Sequence, residues 1–367
     1  MSKIVLFGAT GYTGELTAHA LQRLGSTPLL AARREDALQE LALSLGADVP
    51  TAAADINDPS SVRALLEPGD VLVTTVGPFA RWGSVAVEAA IDAGAHYLDS
   101  TGEASFIRDI FTKYGPRAEA AGVTLLTAMG YDWVPGNLAG AVAIERGGDA
   151  VTGVLVGYFN GGKTTAQSMS GGTFASSAGA MFYPSHSYAG GQFVTERNAS
   201  RVHDFGEVED GEPARGFSVG SSEALSLPRV YPALQTVDVY LGWNDPDKVQ
   251  AQAAALEPVL ADEAARAKMM AEAEANLPGS TGGPDAELRA QSYAVILAEG
   301  VDSAGDVRST VRAQGANGYD FTADFLALAA RAVLDGEVTK RGAIGPVEAF
   351  GVPRLTELVA RAGITLD

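Results

Sequence analysis

"KIVLFGATGYTGELTAHALQRLG", residues 3–25, decides the fold. Its first five residues form a short strand candidate. Gly8, Gly11 and Gly14 follow at regular intervals, and the run from Tyr12 onward has helical spacing. In a strand, turn and helix of this kind the first glycine makes the tight turn and the second lets backbone approach a pyrophosphate. The last glycine lets the helix pack closely on the strand. The helix N-terminus then offers unpaired amides and a positive dipole end to phosphate. Glycine also serves any corner that needs a positive φ, so the triplet takes its meaning from what surrounds it.

What surrounds it is an alternation of short aliphatic runs with Ala/Leu/Glu-rich amphipathic stretches, the pattern of βαβ units. Six strand candidates emerge: "KIVLF" (3–7), "PLLAA" (28–32), "VPTAA" (49–53), "VLVTT" (71–75), "HYLD" (96–99) and "VTLLT" (123–127). Two βαβαβ halves predict an α/β fold with a Rossmann-type, doubly wound parallel sheet over residues 1–135. Ligand then sits at the carboxyl ends of the strands, near the switch point. The loops at 8–14, 33–34, 76–83 and 100–103 should converge there.

Beyond "GYDWVPGN", where Pro135 and Gly136 mark the crossing, the runs lengthen to "VTGVLVGYF" and "TVDVYLGW" with Gly/Ser-rich connections. This predicts a second, α+β domain over 136–318 containing a mixed or antiparallel sheet, with a hairpin turning at "DSAG". Residues 249–275 and 319–335 have helical period. The segment "SGGTFASSAGA" (170–180) suits either a channel lining or a subunit contact.

The end of the second strand selects the cofactor. An NAD-binding sheet places Asp or Glu there for the ribose 2′-hydroxyl, whereas this chain has Arg33 and Arg34 in "LLAARRED". Guanidinium grips a 2′-phosphate by charge-assisted, bidentate hydrogen bonds, so the expected cofactor is NADP(H). Arg34 also reads as a solvated helix-start residue. Asp55, after the third strand, suits either an adenine contact or a plain loop. Val76, Gly77, Pro78 and Phe79 form a turn after the fourth strand whose backbone lines a cofactor or merely rounds a corner, with Phe79 as a wall on the nicotinamide side.

The formal net charge of −19 repels nucleic acid and anionic lipid, and no basic stripe overrides it. With no cysteine, disulfides and thiolate chemistry are absent, and the chain suits a cytoplasmic setting. No segment has the length and apolarity of a membrane span. The four histidines are isolated, so no metal site is expected. No Tyr-x-x-x-Lys pair occurs.

At "GATGYTG", "TTVGPFARWG", "HYLDSTGE" and "GYDWVPGN" the chain resembles the saccharopine dehydrogenase-like oxidoreductases, which include trans-acting enoyl reductases. The similarity extends more loosely through "SGGTFASS" and "GYDFTADFLALAARAVLDG". The resemblance implies an NADP(H)-binding Rossmann domain, a substrate domain, hydride transfer between them, and a C-terminal helical segment (319–367) folded back on the first domain. It places the phosphate turn on Gly8, Thr10, Gly11, Tyr12, Thr13 and Gly14, the nicotinamide-side loop on Val76, Gly77, Pro78 and Phe79, and a further motif on Tyr97, Asp99, Gly102 and Glu103.

Asp99 and Glu103 after the fifth strand, and Tyr131 and Asp132 after the sixth, are the candidates for proton chemistry. Tyr131 is expected to act as a proton donor or as a hydrogen bond to substrate, with Asp132 or Glu103 orienting it. Tyr131 also suits packing at the domain junction, and Glu103 also suits a cap on the helix near Ala104. Saccharopine carries several carboxylates, yet residues 151–250 offer only Lys163, Arg197, Arg201, Arg215, Arg229 and Lys248. The expected partner is therefore a small-molecule substrate, neutral, lipid-like or thioester-linked, with a C=C or C=N bond, bound by a homodimer. The alternative is a non-catalytic NADP(H) sensor.

Overall fold

The computed structural model describes residues 2–46, 48–162, 168–180, 182–208, 211–275 and 282–367. The chain opens with β1 (Ile4–Phe7), α1 (Tyr12–Arg23), β2 (Leu29–Ala32), α2 (Glu35–Leu45), β3 (Thr51–Ala53), α3 (Pro59–Arg63), β4 (Val71–Thr74), α4 (Phe79–Ala93) and β5 (His96–Asp99). It continues through α5 (Ala104–Asp109), α6 (Gly115–Ala120), β6 (Thr124–Leu126) and α7 (Val134–Gly147). Every residue of β1 and β4 is buried, because helices cover both faces of the sheet; such strands read as unbroken apolar runs rather than alternating ones. Ile4 and Leu6 face one core, while Val5 and Phe7 face the other.

The strands of the parallel sheet run in the order β15-β6-β5-β4-β1-β2-β3. The seventh is β15 (Gly342–Ala343), which arrives from the far end of the chain and pairs in parallel with β6. The sequence gives no hint of it, since two residues carry no period. The strand order reverses between β1 and β4, so the ligand crevice of such a sheet lies at their carboxyl ends.

The second half begins with β7 (Gly153–Gly162), α8 (Gly171–Ala180), β8 (Ser185–Ala189), β9 (Gln192–Glu196), β10 (Val202–Glu207), β11 (Pro213–Val219), α9 (Glu223–Val230) and β12 (Thr236–Gly242). It ends with α10 (Pro246–Leu260), α11 (Glu263–Ala275), α12 (Ala286–Ala290), β13 (Ser292–Val301), β14 (Val307–Gly315), α13 (Gly318–Leu334), α14 (Pro346–Arg361) and β16 (Ile364–Leu366). Their main sheet follows β10-β11-β12-β7-β13-β14-β16 and is mixed. β7 and β12 are parallel; its other pairs are antiparallel. β13 and β14 are the hairpin expected around "DSAG". The single helical stretch expected over 249–275 is two helices, broken at 261–262.

One continuous core joins the two sheets. α7 packs on the inner face of the mixed sheet against Val154, Val156, Ile296 and Val311, and α13 packs against α1. Each such large side chain removed from water stabilises by about 1.5–3 kcal/mol. Pro135 and Gly136, expected at a crossing between domains, are buried in the first turn of α7. Among the described residues no helix is long and apolar enough to cross a membrane.

Candidate functional site

Gly8 has φ +88°, a conformation that L side chains rarely adopt, and a Cβ there would lie 2.8 Å from Thr75 Oγ1 and 2.9 Å from Val76 Cγ2. The turn after β1 is thereby pressed against the loop after β4. The Gly11 amide donates to the Gly8 carbonyl (2.9 Å), and Gly11 caps α1 with no side-chain bond. The amides of Tyr12, Thr13 and Gly14 that follow are the orphan donors of a helix start. Gly14 packs so tightly that a Cβ would press into the Gly8 carbonyl, 2.9 Å from its carbon. Close approach at the first and third glycines, with open amides between them, fits a pyrophosphate.

Arg33 and Arg34 close β2 and are exposed, and neither guanidinium has a partner among the described residues. Asp55 is engaged within its own loop: its Oδ1 accepts from the Asn57 backbone (2.8 Å) and side chain (2.9 Å).

The carboxyl edge is stitched together by carboxylates. Asp99, fully buried, accepts from the amides of Thr101 (2.9 Å) and Ala128 (2.8 Å) and from Thr127 Oγ1, which ties the loops after β5 and β6. Burial raises its pKa to about 6 against the lowering effect of these donors. Glu103 makes no side-chain bond to the helix it precedes. It reaches across to α4 instead, accepting from the amides of Phe79 (2.7 Å) and Ala80 (2.9 Å), where the dipole favours a negative charge. Ser176 Oγ of α8 donates to the same carboxylate at 2.8 Å. Burial pushes the pKa of Glu103 up. The ring of Phe79 turns into the core against Phe106, with centroids 5.7 Å apart, so what this loop presents to the crevice is the Val76–Pro78 backbone.

Tyr131 and Asp132 follow β6. The Tyr131 hydroxyl donates to the Phe159 carbonyl at 3.1 Å, and its amide donates to Thr322 Oγ1 at 2.9 Å. Asp132 is half-buried and sits over Gly102, where a Cβ would lie 2.8 Å from Oδ2. Its carboxyl has no hydrogen-bond partner among the described residues, and burial raises its pKa to about 6.

Behind this pair lies a residue that the sequence does not flag. Glu223, at 0% exposure, begins α9 and accepts from the Tyr158 hydroxyl at 2.7 Å. Tyr158 in turn accepts from the Gly136 amide (2.9 Å) and meets the rings of Tyr131 and Trp133 edge-on at 5.5 and 5.1 Å. Burial, helped by the nearby Asp132 charge, raises the pKa of Glu223 to about 8. A glutamate in a first helical turn reads as an ordinary dipole partner; only the β7 tyrosine facing it reveals its burial.

The string Gly216–Gly220 has the Gly-x-Ser-x-Gly spacing but is no nucleophile elbow. Ser218 lies along β11, its hydroxyl accepting from the Arg201 amide at 3.0 Å. The cations of the second half are already paired: Arg197 with Glu257, Arg201 with Glu196 and Asp238, Arg215 with Asp247, and Arg229 with Glu348. Lys248 is exposed on α10, and Lys163 lies outside the described residues.

Residues 4–126 match the saccharopine dehydrogenase NADP-binding domain. A trans-acting enoyl reductase of Mycobacterium tuberculosis is 39% identical over 140 residues, covering 37% of this chain and 34% of that one. A second M. tuberculosis relative is 36% identical over 184 residues, 47% of this chain and 42% of its own length. The matches therefore span less than half of these relatives. The apo saccharopine dehydrogenase (L-Glu forming) of Saccharomyces cerevisiae superposes with a TM-score of 0.60 over 100% of this chain and 99% of that one, at 13% identity, a likeness of fold. Over residues 4–126 the chain is thus similar to the NADP-binding domain of saccharopine dehydrogenase.

Proposed function

We propose that the protein is an NADP(H)-dependent oxidoreductase that reduces an enoyl C=C or imine C=N bond in a small or lipid-like metabolite. The observation that carries this is the crevice at the carboxyl edge. Its half-buried groups Tyr131 and Asp132 are backed by the buried Trp133, Tyr158 and Glu223, with no cation among the five to clamp a polycarboxylate. The enoyl reductase names of the relatives agree with a substrate of that polarity.

The bound nicotinamide would carry the hydride. Gly8, Gly11 and the amides of Tyr12 to Gly14 would hold the diphosphate, Arg33 with Arg34 the 2′-phosphate, and the Val76–Pro78 backbone the nicotinamide side. The protein's remaining task is to hold a proton beside the acceptor bond. Asp132 suits it, since its carboxyl has no hydrogen-bond partner among the described residues and burial raises its pKa to about 6. The Tyr131 hydroxyl is committed to a main-chain carbonyl, so Tyr131→Phe is expected to keep the single-turnover rate of hydride transfer within about threefold, where a general acid would contribute about 100-fold or more. Stopped-flow spectroscopy at the nicotinamide band checks this.

Oxidation of NADPH against a panel of 2-enoyl thioesters and cyclic imines tests the proposal. Turnover of at least one class is expected, whereas tight NADPH binding with no oxidation across the panel would turn the assignment to a sensor. Arg33→Asp should raise the Michaelis constant for NADPH about 10- to 100-fold and lower that for NADH, because the charge that grips a 2′-phosphate now repels it. Equal losses for the two cofactors would count against the role of Arg33.

A further inference from the structure

The phosphate turn, residues 8–14, contains no cation, and the first turn of α1 adds Glu15. A diphosphate seated there would meet amides and a helix dipole but no full positive charge from the turn. One arrives from far along the chain. Arg289, on α12, donates from Nη1 to the Tyr12 hydroxyl at 3.0 Å and to the Pro284 carbonyl at 2.9 Å. The Tyr12 hydroxyl donates to that same carbonyl.

This contact is built rather than incidental. The Arg289 side chain is only 14% exposed, with Nε held by Asp320 Oδ1 at 2.7 Å. Gly283 leaves room for the Tyr12 ring, since a Cβ there would lie 2.7 Å from ring carbons. Tyr319 meets Tyr12 edge-on at 5.1 Å, and its hydroxyl bonds the Ser170 amide (2.7 Å) and Thr173 Oγ1 (3.0 Å). Two separate segments, 283–289 and 319–320, therefore close on the first helical residue of the turn, the second braced by Ser170 and Thr173, and the cation among them is Arg289.

We propose that Arg289 is a cofactor-binding residue that supplies the positive charge for the pyrophosphate of NADP(H), with Tyr12 and Asp320 holding the guanidinium ready beside the turn. The inference rests on NADP(H) binding at residues 8–14 and goes beyond it by adding a residue from outside the matched domain. A guanidinium suits the task, because its forked donors pair with phosphate oxygens while others remain on Asp320.

The test is calorimetric titration of NADPH and of adenosine 2′-monophosphate, which carries the 2′-phosphate but no diphosphate, into wild-type protein, Arg289→Met, Arg289→Lys and Arg33→Asp. Arg289→Met should weaken NADPH about 10- to 100-fold and leave the monophosphate within twofold. Arg289→Lys, which keeps the charge, should recover most of the NADPH affinity, and Arg33→Asp should weaken both ligands. The slope of log affinity against log salt for NADPH should flatten in Arg289→Met. Unchanged NADPH affinity, or equal losses of both ligands, would overturn the role of Arg289 while leaving the cofactor assignment standing. Wild-type protein that binds neither ligand would overturn both.

Discussion

Gly14→Ala is expected to weaken NADPH binding by at least about 100-fold, on the order of 3 kcal/mol, and to lower the thermal midpoint, while Gly11→Ala leaves the fold unstrained and acts only through the methyl it places where the pyrophosphate approaches. The contrast follows from where each Cβ would go. At Gly14 it presses into the Gly8 carbonyl, and the obstacle is backbone, which no rotamer change relieves. Relief requires α1 to move away from β1, which separates the amides of Tyr12, Thr13 and Gly14 from the place where a diphosphate must sit. At Gly11 the φ is an ordinary −85° and the nearest atom, the Gly8 carbonyl oxygen, is 3.3 Å away, so a shift of a few tenths of an ångström suffices. Fluorescence titration of NADPH on both variants, with thermal midpoints alongside, measures the pair. A Gly14→Ala variant that keeps wild-type NADPH affinity and thermal midpoint would show that close packing of α1 on the turn is irrelevant to the cofactor.

The part of the fold legible in the sequence is the part made by local pattern. The glycine spacing located the tight turn between β1 and α1, and the apolar runs located six strands to within a residue or two at either end. All of them except the edge strand β3 are largely buried, so their composition announces them. β15 was not legible because its two residues are recruited by β6 through contacts with a distant segment. The break between α10 and α11 is not legible either, since Ala/Glu-rich composition continues across residues 261–262 and the nearby Pro258 lies inside α10 rather than at the break. The loops of the site follow the same division. Asp99, Glu103 and Asp132 could be placed at the carboxyl edge from topology. What each does there depends on partners that no spacing reveals: Asp99 on Ala128, Glu103 on the amides of α4, and Glu223 on a tyrosine 65 residues earlier.

That last pairing makes the second large prediction, a change in how stability depends on pH. Glu223 titrates at about 8 in the folded chain against an ordinary glutamate value of 4.5. The folded state therefore holds a proton that the unfolded chain has already released. Stability is fully present below about pH 4.5 and is lost as pH rises through 8, by up to about 1.4 kcal/mol for each unit. Asp99 and Asp132, both near 6, act with the same sign but have completed their change by about pH 6. His186, lowered to about 4 by burial, works in the opposite sense, and its contribution is complete by about pH 6.5. The window from pH 6.5 to 8 thus belongs chiefly to Glu223. In Glu223→Gln the carboxamide oxygen still accepts from Tyr158 but no proton can be lost. The wild-type thermal midpoint should fall across that window by the equivalent of about 2 kcal/mol, while the variant's stays nearly level and exceeds it at pH 8. Glu223→Ala should be less stable at every pH, because it leaves the buried Tyr158 hydroxyl without an acceptor. Parallel wild-type and Glu223→Gln curves between pH 6.5 and 8 would mean that Glu223 releases its proton in the folded state as readily as in the unfolded one. The buried network behind Asp132 would then hold a carboxylate rather than an acid.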